Sequence, residues 1–445
     1  MIWAIMTLTM FTCLTATLVE FTLAYFSYEK LINIKVEMHS EMEFPTITLC
    51  NISPINISRL PERHVFNNYY FNISQIGSFD LNLSDPYYSI LHEHRNDSWL
   101  DRTGFEVRST ISDCTFAHKK CYHLMEKRVT DRGLCFSFNG PSQKSPVVSR
   151  ITGNKEGLTM FVYLDQANYI PAVNMGAGLQ VAIHHRDVEP NMADKSFLVS
   201  PGTVTYVQMT KKKHTYLSRP FKAFGEHYCT NTNDPDFRNP LEHYPKYSPY
   251  ACIRECRSRY IYQICNCRLI TDIGNETICT IAQEYQCALR QKELFDLNPK
   301  LQAACNCPQS CEDTMFQKQI SFAQFPSEKF REAIAVLPLP SRNISTNYLE
   351  LRLYYDSFVV HTIEQVPKVD ITSIFGNIGG FLGIFLGASL LTVMEVLEVV
   401  IITVYVLLRR LIRGIKRSPD SEPQICNKIT DMDTNKTSIQ KFVKN

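Results

Sequence analysis

The chain carries two long apolar segments, one on each side of a mixed and mostly polar middle region. The first runs from Met1 to Val19 without a charged residue. The second runs from 371 to 408 and contains only two charged residues, Glu395 and Glu398. Because a membrane-spanning helix needs about 20 apolar residues, each segment predicts a transmembrane helix. For the first segment a signal peptide is the alternative, although it lacks a basic start and a clear cleavage site.

The residues that follow the second segment predict the orientation in the membrane. The stretch "RRLIRGIKR" holds five basic residues, and such residues favour the cytoplasmic side. Both termini are then cytoplasmic in a multi-pass protein of the plasma membrane. The expected division is a first transmembrane helix at 1–26, an extracellular domain at 27–370, a second transmembrane helix at 371–412 and a cytoplasmic tail at 413–445.

Cysteines and sequons in the middle region independently indicate an extracellular location. Fourteen of the 16 cysteines lie there, an even number, as expected of disulfides in an oxidising compartment. "CNC" occurs twice, but paired zinc ligands usually have two to four residues between them and thiolates would have to survive unoxidised, so we expect disulfides and no metal site. N-x-S/T sequons mark seven candidate glycosylation sites, namely Asn51, Asn56, Asn72, Asn82, Asn96, Asn275 and Asn343.

The middle region combines strand-like and helix-like patterns. "LTMFVYLD", "LQVAIHHRD" and "TVTYVQMTKKKHTYL" read as strands, and "NYLELRLYYDSFVVHTIEQV" as a final long strand that leads into the membrane. Residues 229–311 hold ten cysteines and helix-like stretches such as "ACIRECRSRYIYQI". The pattern therefore predicts a disulfide-rich domain of the α+β class.

Composition excludes several classes of function. A net charge of +2 over 445 residues gives no surface suited to nucleic acid. We find no catalytic constellation and no Gly-rich phosphate loop after a strand, so we expect neither an enzyme nor a cofactor. His184 and His185 are interpreted as core or surface histidines. The run from Lys211 to Lys213 is interpreted as a solvated strand end.

Glycines are concentrated in the second apolar segment. Each glycine inside a helix costs about 1 kcal/mol relative to alanine, so their repeated use needs a reason. Gly376, Gly380, Gly383 and Gly387 share one helical face. Such a face suits close packing between transmembrane helices or the wall of a narrow pore around a symmetry axis, and we favour the pore.

A break in this helix would supply an ion-selective site. The 38 apolar residues, at about 1.5 Å each, exceed a hydrocarbon core of about 30 Å. We expect the break at Gly387-Ala388-Ser389, where carbonyls and a hydroxyl could replace an ion's hydration shell. Glu395 and Glu398 follow as intramembrane carboxylates that favour cations. Alternatively, these two carboxylates pair or snorkel near the inner interface.

Several motifs together resemble the family of epithelial sodium channels, degenerins and acid-sensing ion channels. "FPTITLCN" (Phe44–Asn51) is similar to its motif after the first helix, and "GAGLQVAIH" and "SPGTVTYV" to its palm strands. "ACIRECRSRYIYQICNC" has its cysteine spacing, and "GNIGGFLGIFLGASLLTVMEVLE" resembles its second membrane helix with the Gly-Ala-Ser selectivity triplet. The resemblance covers nearly the whole chain.

The resemblance implies a membrane protein in which two transmembrane helices flank a disulfide-rich domain with a β-strand palm and a helical thumb, the thumb at about 229–330. It also implies a homotrimer or a heterotrimer with related subunits. The implied disulfides are Cys50–Cys135, Cys114–Cys121, Cys229–Cys311, Cys252–Cys307, Cys256–Cys305, Cys265–Cys287 and Cys267–Cys279.

The implied function is an extracellularly gated, amiloride-sensitive, sodium-selective channel, with sodium as the permeating ion. Its filter would be Gly387, Ala388 and Ser389. Its pore-lining residues would be Gly376, Gly380, Gly383, Glu395 and Glu398. A non-conducting membrane glycoprotein or modifier subunit is the alternative. An ATP-gated trimeric channel shares the topology, but this cysteine pattern is unlike it.

The chain departs from the family pattern at three places. The family's cytoplasmic His-Gly motif would precede Met1. Asn377 replaces an acidic residue near the start of the second helix. Of the aromatic pair at the wrist, Tyr28 matches, whereas Phe224-Gly225 takes the place of the tryptophan with altered spacing.

Protons are not expected to be the main agonist. Acid-sensing members carry a histidine pair where this chain has Glu29 and Lys30. Their finger and thumb also carry carboxylates, whereas "YIPAVNM" has none and "ALRQKELFD" has only Glu293 and Asp296. Paired carboxylates with raised pKa values would sense mild acid. An extracellular ligand such as a peptide is therefore the expected stimulus.

The family's gate position, which must stay small for the pore to close, aligns with Ser373. If three copies meet at a closed constriction, added bulk would hold the pore open, since overpacking a tight contact costs about 1–3 kcal/mol. The alternative is that Ser373 is the N-cap of the helix.

Overall fold

The protein divides into two compact units. The structure is a computed structural model, and it describes residues 2–74, 81–171, 176–335, 344–386 and 390–415. Ala24–Val369 form the large unit, and Met1–Leu23 together with Asp370–Asn445 form the helical unit.

Helices occur in both units. In chain order they are α1 (Ile2–Phe26), α2 (Arg63–Ser74), α3 (Trp99–Thr103), α4 (Val107–Thr110), α5 (Pro249–Cys265), α6 (Ile281–Gln283), α7 (Leu289–Leu297), α8 (Pro299–Ala304), α9 (Glu328–Ala335), α10 (Ile344–Asn347), α11 (Ile371–Leu386) and α12 (Leu390–Ile415).

Strands lie in the large unit. In chain order they are β1 (Lys30–Met38), β2 (Met42–Glu43), β3 (Thr46–Asn51), β4 (Ile111–Phe116), β5 (Lys119–Lys120), β6 (Met125–Thr130), β7 (Gly133–Phe138), β8 (Val148–Ser149), β9 (Leu158–Tyr163), β10 (Leu179–His184), β11 (Ser196–Val199), β12 (Thr203–Thr215), β13 (Cys229–Thr230), β14 (Gln309–Ser310), β15 (Glu312–Gln324) and β16 (Tyr348–Pro367). The four runs predicted as strands are β9, β10, β12 and β16, which confirms that part of the prediction.

A seven-stranded sheet forms the centre of the large unit. Its order is β15-β12-β16-β9-β4-β5, and β1 also pairs with β16. Leu349, Leu351 and Leu353 of β16 are fully buried and alternate with half-buried residues, the period of two that a strand with one core face requires. The first part of β16 pairs with β9, and its last part pairs with β1.

A five-stranded sheet packs on the same core. Its order is β11-β10-β3-β7-β6. All residues of β3 and of β7 are buried, so both faces of these two strands are covered. Phe44 before β3, Phe116 of β4 and Phe138 of β7 meet edge to face or tilted, with ring centroids 5.0–5.9 Å apart.

Disulfides fix the helical region between β13 and β15. Helix α5 begins where the Ser248 hydroxyl accepts a hydrogen bond from the Ala251 amide at 3.1 Å, and it ends at Asn266 in the left-handed conformation. The structure has the seven disulfides that the resemblance implied, namely Cys50–Cys135, Cys114–Cys121, Cys229–Cys311, Cys252–Cys307, Cys256–Cys305, Cys265–Cys287 and Cys267–Cys279.

The helical unit contains one helix that meets the criteria for a membrane span. Among the described residues, Ala4–Phe26 is long and apolar enough to cross a membrane, and Ile371–Phe385 is apolar but shorter. The sequence predicted two spans, the second over 371–412. The structure describes that stretch as α11 and α12, and a second span stays a prediction.

Candidate functional site

One face of α11 is open in the single chain. Ser373, Gly376, Gly380 and Gly383 share this face, which we call the glycine face, and all four are exposed. A Cβ atom added to any of the three glycines would meet no atom within 4 Å. The described residues therefore leave room for a larger side chain at these three positions, so crowding within the chain does not explain the glycines.

The opposite side of α11 carries bulky side chains. Ile374, Ile378, Phe381 and Phe385 recur at helical spacing and are half-buried. The Phe381 ring meets the Phe21 ring of α1 edge to face, with centroids 6.3 Å apart. The two faces of α11 thus differ: the bulky face is half-buried and includes this contact with α1, whereas the glycine face is exposed among the described residues.

Asp370, and not Ser373, caps the start of α11. The Asp370 carboxylate accepts a hydrogen bond from the Ser373 amide at 2.8 Å and one from the Thr372 hydroxyl at 2.6 Å. The hydrogen bonds from Ser373 and Thr372 lower the pKa of the Asp370 carboxyl to about 2. Asp370 therefore occupies the N-cap position, and the alternative interpretation of Ser373 as the N-cap is wrong. An aspartate directly before an apolar run is the sequence pattern that predicts this N-cap.

The remaining predicted pore residues stay predictions. Gly387, Ala388 and Ser389, the expected filter, lie outside the described residues. Glu395 and Glu398 lie on α12 three residues apart, hence on one helical face, and both are exposed in the single chain.

The strands that adjoin the two apolar helices in sequence pair with each other. β1 and β16 run antiparallel from Lys30↔Pro367 to Met38↔Val359. Just beyond the ladder, the Lys368 amide donates to the Glu29 carbonyl at 2.9 Å, and the Lys368 ammonium lies 2.5 Å from the Glu29 carboxylate. Glu29, one of the two positions that the resemblance matched to a histidine pair, therefore takes part in an ion pair.

The Tyr28 ring meets the Phe221 ring edge to face at 5.4 Å. Phe224, which the resemblance puts in the place of the tryptophan, packs on Tyr216 at 4.4 Å. The contact of Tyr28 is therefore made by Phe221 and not by the residue that takes the tryptophan's place. The spacing of the loop differs from that of the family, and no periodic pattern singles out Phe221.

Two of the seven sequons are buried. The Asn51 amide nitrogen, the atom that would carry a glycan, donates to the Leu164 carbonyl at 3.0 Å, and Asn51 is 6% exposed. Asn56 is also buried, and its side chain accepts a hydrogen bond from the Ser58 amide at 3.0 Å. The folded protein thus has no room for a glycan at either asparagine. Asn82, Asn96 and Asn275 are exposed, Asn72 is half-buried, and Asn343 lies outside the described residues.

Arginines hold the contact between residues 95–97 and the thumb region. The Arg95 guanidinium pairs with the Glu284 carboxylate and also donates to the Cys279 carbonyl at 2.9 Å. The Arg268 guanidinium lies 2.5 Å from the Asp97 carboxylate. Each of these carboxylates faces an arginine.

His184 is half-buried, between the core and surface locations that the two interpretations predicted. Burial lowers its pKa to about 3, and the nearby Arg128 acts in the same direction. Its Nδ1 lies 2.9 Å from the His185 carbonyl and its Nε2 lies 2.8 Å from the Thr48 hydroxyl. A neutral ring with a proton on Nδ1 satisfies both contacts. His184 therefore does not titrate in mild acid.

Comparison of the sequence with models of known protein families shows which family the chain belongs to. The model described as amiloride-sensitive sodium channel matches residues 1–399. The chain belongs to this family. The amiloride-sensitive sodium channel family comprises membrane proteins of ion transport, and the disulfide-rich, strand-rich large unit is its extracellular domain.

Curated relatives in the same family are named acid-sensing ion channels. Acid-sensing ion channel 2 of Homo sapiens is 28% identical over 402 residues, which cover 84% of this chain and 75% of the relative. Acid-sensing ion channel 4-B of Danio rerio is 29% identical over 388 residues, with 84% and 66% covered. Among solved structures, a proton-activated chloride channel gives a TM-score of 0.33 at 8% identity, with 90% of this chain and 100% of that chain covered. This TM-score is too low to establish a shared fold.

Proposed function

We propose that the chain is one subunit of a trimeric, sodium-selective, amiloride-sensitive channel that an extracellular ligand other than the proton opens. The observation that supports the pore most strongly is the glycine face of α11. Its four residues are exposed, and a Cβ atom added to any of the three glycines would meet no atom within 4 Å. Three such faces around an axis would bring backbones close together and leave a narrow lumen.

The proposed gate lies on this face, and the proposed filter follows α11 in sequence. Ser373 stands one helical turn before Gly376, at the start of α11, and takes the role of the closed constriction. Gly387, Ala388 and Ser389 follow α11 in sequence and take the role of the filter. Glu395 and Glu398 of α12 would favour cations over anions.

An apolar row on β1 supports assembly with other subunits. Ile32, Ile34, Val36 and Met38 lie on one face of the strand and are 62–84% exposed. Contiguous exposed apolar side chains mark interaction sites more often than free surface. We assign this row to the contact with neighbouring subunits.

The charge arrangement supports a stimulus other than acid. Mild acid is sensed by carboxylates that share a site, because each raises the pKa of the other. Here Glu284 and Asp97 each face an arginine, Glu29 faces Lys368, and the pKa of the half-buried His184 is lowered. Peptides are the class of extracellular ligand to test first.

The proposed function is tested by expressing the full chain and recording sodium current under voltage clamp. An amiloride-blocked, sodium-selective current during application of a panel of neuropeptides is expected. A step from neutral to mildly acidic pH should produce little current. A large, rapid acid-evoked current would overturn the proposed stimulus. Surface expression without any amiloride-blocked current, even when Ser373 is replaced by a bulky residue, would favour the non-conducting glycoprotein or modifier subunit.

A further inference from the structure

Two side chains from different strands converge on one carbonyl of the loop that contains Phe221. The Ala223 carbonyl accepts a hydrogen bond from the Lys30 ammonium at 2.9 Å and one from the Gln365 amide at 3.0 Å. The Lys30 ammonium also donates to the Lys222 carbonyl. Ala223 is 4% exposed, and the two hydrogen bonds to its carbonyl are partly buried, whereas the one to the Lys222 carbonyl is exposed.

The strand register explains why these two side chains meet. Lys30 lies opposite Pro367, and Ile32 lies opposite Gln365. Residues that face each other across an antiparallel pair point to the same side, as do residues two apart along a strand. Lys30 and Gln365 are therefore diagonal neighbours on one face of the β1–β16 pair, and both reach the loop from that face.

Gln365 closes the loop at both ends. Its side-chain oxygen accepts a hydrogen bond from the Leu217 amide at 3.3 Å, while its nitrogen donates to the Ala223 carbonyl. The Gln365 side chain thus hydrogen-bonds to both ends of the segment 217–223. Between these ends, the Phe221 ring rests on Tyr28, two residues before Lys30.

We propose that Lys30 and Gln365 form a polar clamp that couples the 217–223 loop to β1 and β16 together, and that this clamp helps to hold the channel closed at rest. β1 follows the first apolar helix in the chain, and β16 precedes α11. A displacement of the loop must therefore either break the clamp or move both strands. Lys30 and Gln365 are positioning residues, and their role in gating rests on the proposed function.

The clamp itself is tested by hydrogen exchange on the full-length, detergent-solubilised protein. In Lys30→Met, exchange of loop amides within 217–227 should rise roughly tenfold, the size of effect that follows from losing a hydrogen bond with a charged donor. Gln365→Glu keeps an acceptor for the Leu217 amide but loses the donor to Ala223, and should raise exchange in the same segment.

A matched control lies on the same strand. Lys35 pairs with Glu364 at 2.7 Å and does not contact the loop, so Lys35→Met should leave exchange in 217–227 unchanged. Lys30→Arg, which keeps a cationic donor, should restore protection at least in part. Unchanged loop exchange in Gln365→Glu, whether or not Lys30→Met folds, would overturn the clamp.

The role in gating is tested with Ser373→Cys as a reporter. If the clamp holds the channel closed, Lys30→Met should increase severalfold the rate at which a cationic thiol reagent modifies Ser373→Cys at rest, and Lys35→Met should not. Faster loop exchange with an unchanged modification rate would show that the clamp is structural only and overturn its gating role. No current after modification in any background would contradict the proposed function, while the exchange result would still decide the clamp.

Discussion

At the scale of single residues, Asp370 separates two interpretations of Ser373. The Asp370 carboxylate accepts the Ser373 amide hydrogen bond at the start of α11, and the Ser373 side chain also hydrogen-bonds to this carboxylate. We predict that Asp370→Ala accelerates exchange of the first α11 amides and shifts gating, whereas Asp370→Asn, which is an equally good cap, leaves both unchanged. Ser373→Ala keeps the capping carboxylate and should accelerate exchange less than Asp370→Ala does. Faster exchange in Ser373→Ala than in Asp370→Ala would contradict this assignment.

His184 predicts a specific pH dependence of stability. Its pKa is lowered from 6.5 to about 3, so between these values the unfolded chain binds a proton that the folded protein does not. This contribution is complete above about pH 6.5, and the free energy of unfolding falls as the pH decreases below that value. We expect His184→Gln to remove up to about 1.4 kcal/mol per pH unit of that decrease.

The measurement for His184 is thermal unfolding of the purified protein at several pH values between neutral and about pH 4. Because other groups also titrate in this range, the informative quantity is the difference in slope between the wild type and the variant. His123 is exposed, so His123→Gln should retain the wild-type slope. Equal slopes for all three proteins would contradict the lowered pKa of His184.

At the scale of elements, a buried ion network attaches helix α5 to its surroundings. The Arg254 guanidinium pairs with the Glu189 carboxylate and donates to the Thr271 carbonyl, and its Nε lies 3.7 Å from the Asp272 carboxylate. Arg128 of β6 approaches Glu189 at 2.9 Å. The Arg254 side chain is 1% exposed, so its charge is compensated only by these groups.

Removing Arg254 should therefore destabilise the large unit. Arg254→Met leaves Asp272 with a buried negative charge and Glu189 with Arg128 as its remaining cation, and breaking a buried pair costs about 3–5 kcal/mol. Arg150 has an 80% exposed side chain and pairs with the 53% exposed Glu41 at 3.2 Å, so Arg150→Met should cost less than about 1 kcal/mol. Thermal unfolding followed by circular dichroism measures both, and equal melting temperatures for the two variants would contradict the network's role.

The sequence predicts strands better than it predicts contacts between residues that lie far apart in the chain. β9, β12 and β16 were predictable because one face of each packs on a core and imposes a period of two. The disulfide pairs came from the family resemblance, since ten cysteines within 229–311 allow many connectivities. The contacts of Lys30 with Ala223 and of Tyr28 with Phe221 join residues about 190 apart. Neither local pattern nor spacing encodes such contacts.

At the scale of the whole molecule, the proposed trimer predicts an effect of charge on β1. Ile34 and Val36 are exposed on the apolar row, and a charge in a buried subunit contact is costly. The double variant Ile34→Glu/Val36→Glu should therefore reduce the trimeric fraction measured by native mass spectrometry. Leu198 on β11 is 65% exposed, and Leu198→Glu is the control expected to assemble normally. A full trimeric fraction in the double variant would exclude β1 from the contact.

The central claim is that the glycine face of α11 lines a sodium pore, with Ser373 at its gate. Its most direct test is modification of Ser373→Cys with a bulky thiol reagent under voltage clamp. Phe375 is 73% exposed but lies about 200° around the helix from Ser373, so Phe375→Cys is the matched control. The account predicts a standing, amiloride-blocked sodium current after modification of Ser373→Cys and none for Phe375→Cys. A modified Ser373→Cys channel that stays closed at rest, or equal currents from both positions, would contradict it.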